Sequence, residues 1–115
     1  MMVSDSTSGS VLAVLSTVPD AEVAERIGTV LVQERLAACA NVIEGVTSIY
    51  RWQGSIERER EVLMVLKTTS ETVQQLRLRL VELHPYDVPE VLALDVRDGH
   101  EPYLNWVRSV VGPDV

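Results

Sequence analysis

The feature that most constrains the fold is one long hairpin pattern in the middle of the chain. Residues 40–52 and 55–68 are rich in residues that favour strands, and Gln53 and Gly54 separate them as a two-residue turn. At about 3.3 Å per residue, arms of this length reach roughly 40 Å, which is unusually long. The residues predicted to share one face of the first arm are Val42, Val46, Tyr50 and Trp52.

The segment before the hairpin predicts a strand followed by a helix. Residues 11–15 form a short apolar run, and Pro19 and Asp20 are placed to open a helix. Apolar residues then recur at a spacing of three to four as far as Leu36. A strand feeding an amphipathic helix is therefore expected here.

The segment after the hairpin repeats this pattern. Three competing N-cap residues at 68–70 predict a second helix that continues to Leu83, because Pro85 stops it. An apolar strand is predicted at 90–96, and Pro102 can begin a last short helix.

This element order predicts an α+β fold of the ferredoxin-like, split βαβ kind: βαββαβ plus a C-terminal helix. An antiparallel sheet would carry its helices on one face. We expect one domain at residues 11–111, a disordered tail at 1–10 and a short tail at 112–115.

The central hairpin is predicted to project beyond its sheet, because the other two strands have only about six residues each. Its tip would expose strand edges together with apolar side chains, a liability that proteins usually cover. We therefore expect an oligomer in which the hairpin arms pair with neighbouring subunits. The exposed side chains would include Ile49, Tyr50, Trp52 and Ile56.

Composition excludes several classes of function. A net charge of −7 argues against nucleic acid and anionic membranes as partners. The single cysteine excludes an internal disulfide framework, and the sequence shows neither a membrane-spanning run nor a signal segment. The sequence also lacks the phosphate-loop, zinc-protease and nucleophile-elbow motifs, so no enzyme is predicted. A cytoplasmic protein without an organic cofactor is expected.

Few residues offer specific chemistry. Cys39, among small apolar neighbours, is more typical of a buried hydrophobe than of a ligand. Glu57, Glu59 and Glu61 line one strand face, where they can gather a cation or remain solvated and form salt bridges between subunits. Lys67 lies further along the same strand. Its ammonium group could bind an anionic ligand, or it could simply form an ion pair with a nearby carboxylate.

The stretch LHPYDVPEV, residues 83–91, concentrates polar groups at the end of the second helix. A histidine at the C-terminal end of a helix is stabilised by the helix dipole, and His84 needs no functional role to explain it. A functional role is the alternative, because Tyr86 and Asp87 lie in the same turn. Such neighbours can orient an imidazole or complete a polar pocket. His100, beside Glu101, is predicted to be a surface residue.

The fragments STVPD, LAACANVI, SIYRWQGSIERERE, MVLKT, HPYDVPEV and YLNW, in this order, resemble the CutA divalent-cation tolerance proteins over nearly all of residues 11–111. The resemblance implies a ferredoxin-like subunit in a homotrimer held by the long hairpins, similar in architecture to PII signalling trimers. It implies a cytoplasmic role connected with copper and other divalent cations, and it establishes no catalytic activity.

The resemblance also implies where ligands bind. In members with proposed copper ligation, the ligands are a cysteine ending the first strand and a histidine pair before the proline; these positions here are Ser16, Leu83 and His84. We therefore expect weak binding of Cu²⁺ or Zn²⁺, with His84 as the metal ligand. The other residues expected in inter-subunit clefts are Cys39, Lys67, Tyr86, Glu59 and Glu61, and those expected in the trimer hairpin are Tyr50, Trp52 and Gly54. The alternative is a PII-like trimer that binds a small anion through Lys67 and engages a protein partner.

Overall fold

The computed structural model describes residues 9–113, which form four strands and three helices. In chain order these are β1 (Val11–Val18), α1 (Ala21–Gln33), β2 (Cys39–Trp52), β3 (Ser55–Thr69), α2 (Val73–Leu83), β4 (Leu92–Asp95) and α3 (Glu101–Val110).

The strands form one antiparallel sheet in the order β2-β3-β1-β4. This order and the two crossover helices confirm the ferredoxin-like α+β fold predicted from the sequence. Asp20 begins α1 by accepting a hydrogen bond at Oδ1 from the Val23 amide, 2.9 Å away. The predicted helix opening at Pro19 and Asp20 is therefore confirmed.

The main core lies between the sheet and the two crossover helices. Ile27 and Leu31 of α1 and Leu76 and Leu80 of α2 are fully buried against the alternating residues of β1 and β3. Burial of large side chains at a spacing of three to four is what makes each helix stable in this position. The buried strand residues on this face include Val14, Val18, Val62, Met64 and Leu66.

Helix α3 forms a second, smaller cluster. Its Leu104 and Val107 pack with Val11 and Ala38 near the start of β1. Because side chains alternate along a strand, Val11 points to the opposite face from Val14. Helix α3 therefore lies apart from the core formed by α1 and α2.

The hairpin projects from the sheet, as the sequence predicts. Gln53 and Gly54 form the turn with φ of 50° and 84°. Strand β1 pairs with β3 only at residues 62–69, so residues 46–52 and 55–61 form a two-stranded extension, called here the ribbon. The ribbon makes the subunit elongated, with extents of 54 × 25 × 22 Å.

One prediction within the first arm of the hairpin is wrong. Val42 lies opposite Met64 but Val46 lies opposite Glu61, because an extra residue interrupts the pairing between Ile43 and Val46. The interruption contains Gly45, whose φ is +81°. After this β-bulge, the residues of β2 that face one side of the sheet are those that would otherwise have faced the other side. Val42 and Val46 therefore do not share a face.

Several element boundaries also differ from the predictions. Strand β3 continues to Thr69, and α2 begins only at Val73, because the Thr68 hydroxyl donates to the carbonyl of Leu36 at 2.8 Å instead of capping a helix. Strand β1 extends beyond residue 15 to Val18, since it pairs along its length with β3. Strand β4 is limited to four residues and exposed, because only β1 flanks it.

The predicted terminal tails fall only partly within the described residues. Residues 1–8, 114 and 115 lie outside them; Ser10 exchanges hydrogen bonds with Ser70, and the Gly112 amide donates to Arg35. Within residues 9–113, no helix is long and apolar enough to cross a membrane.

Candidate functional site

The ribbon has two chemically different faces, which follow from its register. Opposed pairs on one face join Tyr50 to Glu57, Ser48 to Glu59 and Val46 to Glu61. On the other face, Ile49 lies opposite Arg58 and Arg51 lies opposite Ile56. We call these the acidic face and the basic face. The predicted alignment of the three glutamates is confirmed by this register.

The acidic face forms one wall of a cavity of about 570 Å³. Ile49 of the basic face also lines this cavity, and the remaining walls come from Thr17 in β1 and from the segment between α2 and β4. The carboxylates that line the cavity are those of Glu59, Glu61, Asp87 and Glu90, and the aromatic side chains are those of Tyr50, Trp52 and Tyr86. A cavity of this size is within the range of small-molecule sites.

His84 anchors the segment that closes the cavity. As the residue before Pro85 it is extended, with φ of −76° and ψ of 137°, and so ends α2 as predicted. Its Nε2 lies 2.9 Å from the Thr17 carbonyl, and its Nδ1 accepts from the Tyr86 amide at 3.1 Å. A carbonyl only accepts, so these partners assign the neutral ring with its proton on Nε2.

His84 is therefore a buried structural link in the isolated subunit, 7% exposed, with both ring nitrogens hydrogen-bonded. A metal ion could bind this ring only by displacing one of those bonds. Ser16, the neighbouring position of interest, is fully buried and its hydroxyl has no hydrogen-bond partner within the described residues. Its side chain alternates with that of Thr17, so it points away from the cavity.

Two tyrosine–glutamate pairs organise the acidic face. The Tyr86 hydroxyl donates to Glu61 Oε2 at 2.6 Å, and the Tyr50 hydroxyl donates to Glu59 Oε1 at 2.9 Å. Burial, and then the hydrogen bond to Glu61, raise the pKa of Tyr86 well above its ordinary value. The hydrogen bond to Glu59 is the main cause of a raised pKa at Tyr50. Both phenols therefore stay neutral donors to their carboxylates.

Glu61 is the most enclosed of these carboxylates. It is 6% exposed, and Tyr86 is its one hydrogen-bond donor within residues 9–113. Sequence reasoning found Glu59, Glu61, Tyr86 and Asp87 as candidates but overlooked Glu90 and Thr17. Glu90 accepts from the Thr17 hydroxyl at 3.4 Å, a contact between residues 73 positions apart that no local pattern reveals.

Cys39 and Lys67 lie outside this cavity. They are paired across β2 and β3, and the Lys67 ammonium group lies 3.9 Å from Cys39 Sγ and donates to Asn41 Oδ1. Lys67 is six residues beyond Glu61 on the same strand, about 20 Å away. A single chain thus separates the predicted cleft residues into two groups at different ends of the sheet.

The predicted trimer hairpin residues lie at or near the ribbon tip. Gly54 occupies the turn, while Tyr50 and Trp52 line the cavity and remain 38% and 48% exposed. Residues 9–113 contain no group of three or more histidine, cysteine, aspartate or glutamate side chains that could hold a metal ion.

Comparison with known proteins links this arrangement to one family. Residues 12–110 match the family described as CutA1 divalent ion tolerance protein. The divalent-cation tolerance protein CutA of Thermus thermophilus is 50% identical over 99 residues, covering 86% of this chain and 96% of that protein. Human Protein CutA is 50% identical over 102 residues; these make up 89% of this chain but 57% of the human protein.

Solved structures show the same fold. CutA1 from Oryza sativa has a TM-score of 0.90 at 34% identity, covering 95% of this chain and 100% of that one. CutA from Xylella fastidiosa has a TM-score of 0.87 at 44% identity, covering 90% of this chain and 99% of that one. The sequence and structural matches extend over the helices, the sheet and the ribbon, so this chain belongs to the CutA1 divalent ion tolerance family.

Proposed function

We propose that this protein acts in divalent-cation tolerance as a non-enzymatic, cytoplasmic homotrimer that binds Cu²⁺ or Zn²⁺ weakly. Family membership and the names of its relatives support the connection with divalent ions. The observation that carries the proposal is the acidic cavity beside His84, because its carboxylates form no ion pair within residues 9–113 and such groups attract metal ions.

The donor set fits an exchangeable metal ion and does not fit a closed site. Soft, tight ligation of copper requires thiolate and imidazole donors. Cys39 lies outside the cavity, Ser16 points into the core, and His84 must release a hydrogen bond before it can bind a metal. Weak binding through His84, assisted by carboxylates such as Glu61, is what this arrangement supports.

The ribbon supports the proposed homotrimer. Its basic face carries the most exposed aliphatic side chains of the sheet, with Ile49 at 64% and Ile56 at 62%. A two-stranded ribbon bearing such residues gains stability when its edges and side chains are covered. Ile49 also lines the cavity, so packing of the basic face against neighbouring subunits would place a second subunit at the cavity's edge.

Calorimetric titration with Cu²⁺ and Zn²⁺ tests the metal proposal. His84→Ala should weaken binding about tenfold, since an imidazole donor is lost. His100→Ala removes an exposed imidazole and is the matched control; it should leave the isotherm unchanged. Thermal unfolding of each variant establishes that the fold is retained.

Equal isotherms for wild type and His84→Ala would reject the role of His84. Glu61→Gln keeps the shape of the side chain and separates the two donors: reduced affinity in this variant alone would assign the metal to the carboxylates.

The PII-like alternative receives no support from the comparisons, which return proteins named for divalent-cation tolerance. Lys67, its predicted anion-binding group, is already a donor to Asn41. No anion-binding function is proposed.

A further inference from the structure

The two ring nitrogens of His84 are not equivalent as metal donors, because their hydrogen bonds differ. In the neutral ring, Nε2 carries the proton and donates to the Thr17 carbonyl at 2.9 Å, whereas Nδ1 accepts from the Tyr86 amide at 3.1 Å. Only the unprotonated nitrogen has a lone pair for ligation. Ligation through Nδ1 therefore costs the bond to Tyr86 alone, since Nε2 keeps both its proton and its acceptor.

Ligation through Nε2 would cost both of these bonds. The proton would move to Nδ1, where it would face the amide hydrogen of Tyr86, and the Thr17 carbonyl would lose its donor. A metal-ligating histidine ordinarily donates its other ring N–H to a carboxylate or a backbone carbonyl. The bond from Nε2 to Thr17 already has this form, so the geometry favours Nδ1 as the ligating atom.

Tyr86 covers both of the donor groups assigned to the proposed metal site. Its amide donates to His84 Nδ1, its ring centroid lies 4.7 Å from that of the His84 ring, and its hydroxyl donates to Glu61 Oε2 at 2.6 Å. His84 and Glu61 are only 7% and 6% exposed. All three contacts lie within one chain, so they do not depend on how the ribbon is covered in a trimer.

The segment that carries Tyr86 is held by side-chain hydrogen bonds rather than by a backbone ladder. Residues 85–91 make no backbone–backbone hydrogen bond within the described part of the chain. Beyond the contacts of Tyr86, the Thr17 hydroxyl donates to Glu90 in a long hydrogen bond of 3.4 Å. Segments with few backbone hydrogen bonds open at a low cost in free energy, so Tyr86 is the principal hydrogen-bonded restraint on this one.

We propose that Tyr86 gates the metal site: His84 ligates a divalent cation through Nδ1 only after Tyr86 moves away, and the same movement frees Glu61 as a second donor. The inference rests on the proposed divalent-cation binding and deepens it, because it names the ligating atom and the residue that controls access. The gate also accounts for weak binding, since only the open fraction of the molecules is competent to bind.

Nitrogen NMR on the assembled protein, with isotopically labelled histidine, tests the ligating atom. The chain contains two histidines, His84 and the exposed His100, so the second is an internal control. Zn²⁺ is the probe, because it is diamagnetic. The Nδ1 signal of His84 should shift on zinc binding while Nε2 keeps its proton, and the Tyr86 amide should lose its protection against hydrogen exchange. The signals of His100 should not change.

Tyr86→Phe tests the gate itself, because it removes the hydroxyl that binds Glu61 and keeps the amide. Zn²⁺ should bind this variant about tenfold more tightly, since Glu61 no longer exchanges a hydrogen-bond donor for the metal ion. Tyr103→Phe removes a hydroxyl that makes no hydrogen bond within residues 9–113 and should leave the affinity unchanged. When Glu61→Gln is already present, adding Tyr86→Phe should no longer tighten binding.

The outcomes separate the gate from the divalent-cation function. Ligation through Nε2, an unchanged Nδ1 signal of His84 at saturating Zn²⁺, or equal zinc affinity in wild type and Tyr86→Phe would overturn the gate while cation binding stands. If wild type binds neither Zn²⁺ nor Cu²⁺, the proposed function is rejected and the gate with it. The NMR measurement uses the unaltered chain, so it decides the ligating atom even if Tyr86→Phe does not fold.

Discussion

At the scale of single residues, the hydroxyl of Tyr86 carries more of the site than its position in a turn suggests. This hydroxyl donates a hydrogen bond to the nearly buried Glu61. The backbone amide of Tyr86 donates to His84 Nδ1 and so holds the imidazole in one tautomer. Only some of these contacts could be predicted from the sequence. His84 and Tyr86 are neighbours in the chain, but Glu61 reaches them through tertiary folding across 25 positions.

Tyr86→Phe should destabilise the fold by about 1–3 kcal/mol, because it leaves a buried carboxylate without its donor. Urea denaturation measures this loss. Tyr103→Phe is the control, since the Tyr103 hydroxyl makes no hydrogen bond within residues 9–113. The double variant with Glu61→Gln should lose less than the sum of the single changes. Strict additivity would show that the hydrogen bond contributes nothing.

The same tyrosine predicts a loss of stability at alkaline pH. Its pKa is raised in the folded protein, so its contribution is complete below the unfolded pKa of about 10 and is lost as pH rises through the higher folded value. Stability measured across this range should fall more steeply in wild type than in Tyr86→Phe. Parallel curves for the two proteins would contradict the assignment.

At the scale of elements, the hairpin was predictable and its bulge was not. Alternating strand residues around Gln53 and Gly54 are a local signal, and both arms formed as predicted. The extra residue near Gly45 leaves no comparable pattern, because a glycine within a strand marks a bulge only once the partner register is known. That one residue decides which side chains of the ribbon reach the cavity.

Substitution of Gly45 tests the bulge. A β-carbon built there meets nothing within 4 Å, so the cost of a side chain comes from φ of +81° alone. Gly45→Val should destabilise by about 1–2 kcal/mol, and Gly45→Asn by less, since asparagine tolerates this conformation. Urea denaturation measures the free energy of unfolding of each variant and so ranks their stabilities. Equal stability of glycine, asparagine and valine would show that the bulge relaxes without strain.

At the scale of the whole molecule, the ribbon divides its chemistry between two faces. The acidic face closes a cavity with the segment after α2, whereas the basic face has no covering element in the described subunit. Length alone predicted the projection, because the arms exceed what β1 can pair. The separation of Lys67 and Cys39 from the acidic cavity could not be predicted. The alternation of side chains along a strand shows which face a residue lies on, but it does not show how far that residue is from the segment between α2 and β4.

Ile49→Lys and Ile56→Lys test whether the basic face holds the subunits together. Wild type is expected to sediment at three times the mass of one chain, and each variant should shift toward one chain, because lysine adds charge to a surface already bearing Arg51 and Arg58. The subunit itself should remain folded, since both isoleucines are exposed in it. Leu78→Lys, at an apolar residue of α2 that is 60% exposed, is the control and should leave the mass unchanged. If wild type has the mass of one chain, or if the variants still sediment as trimers, the basic face does not hold the subunits together.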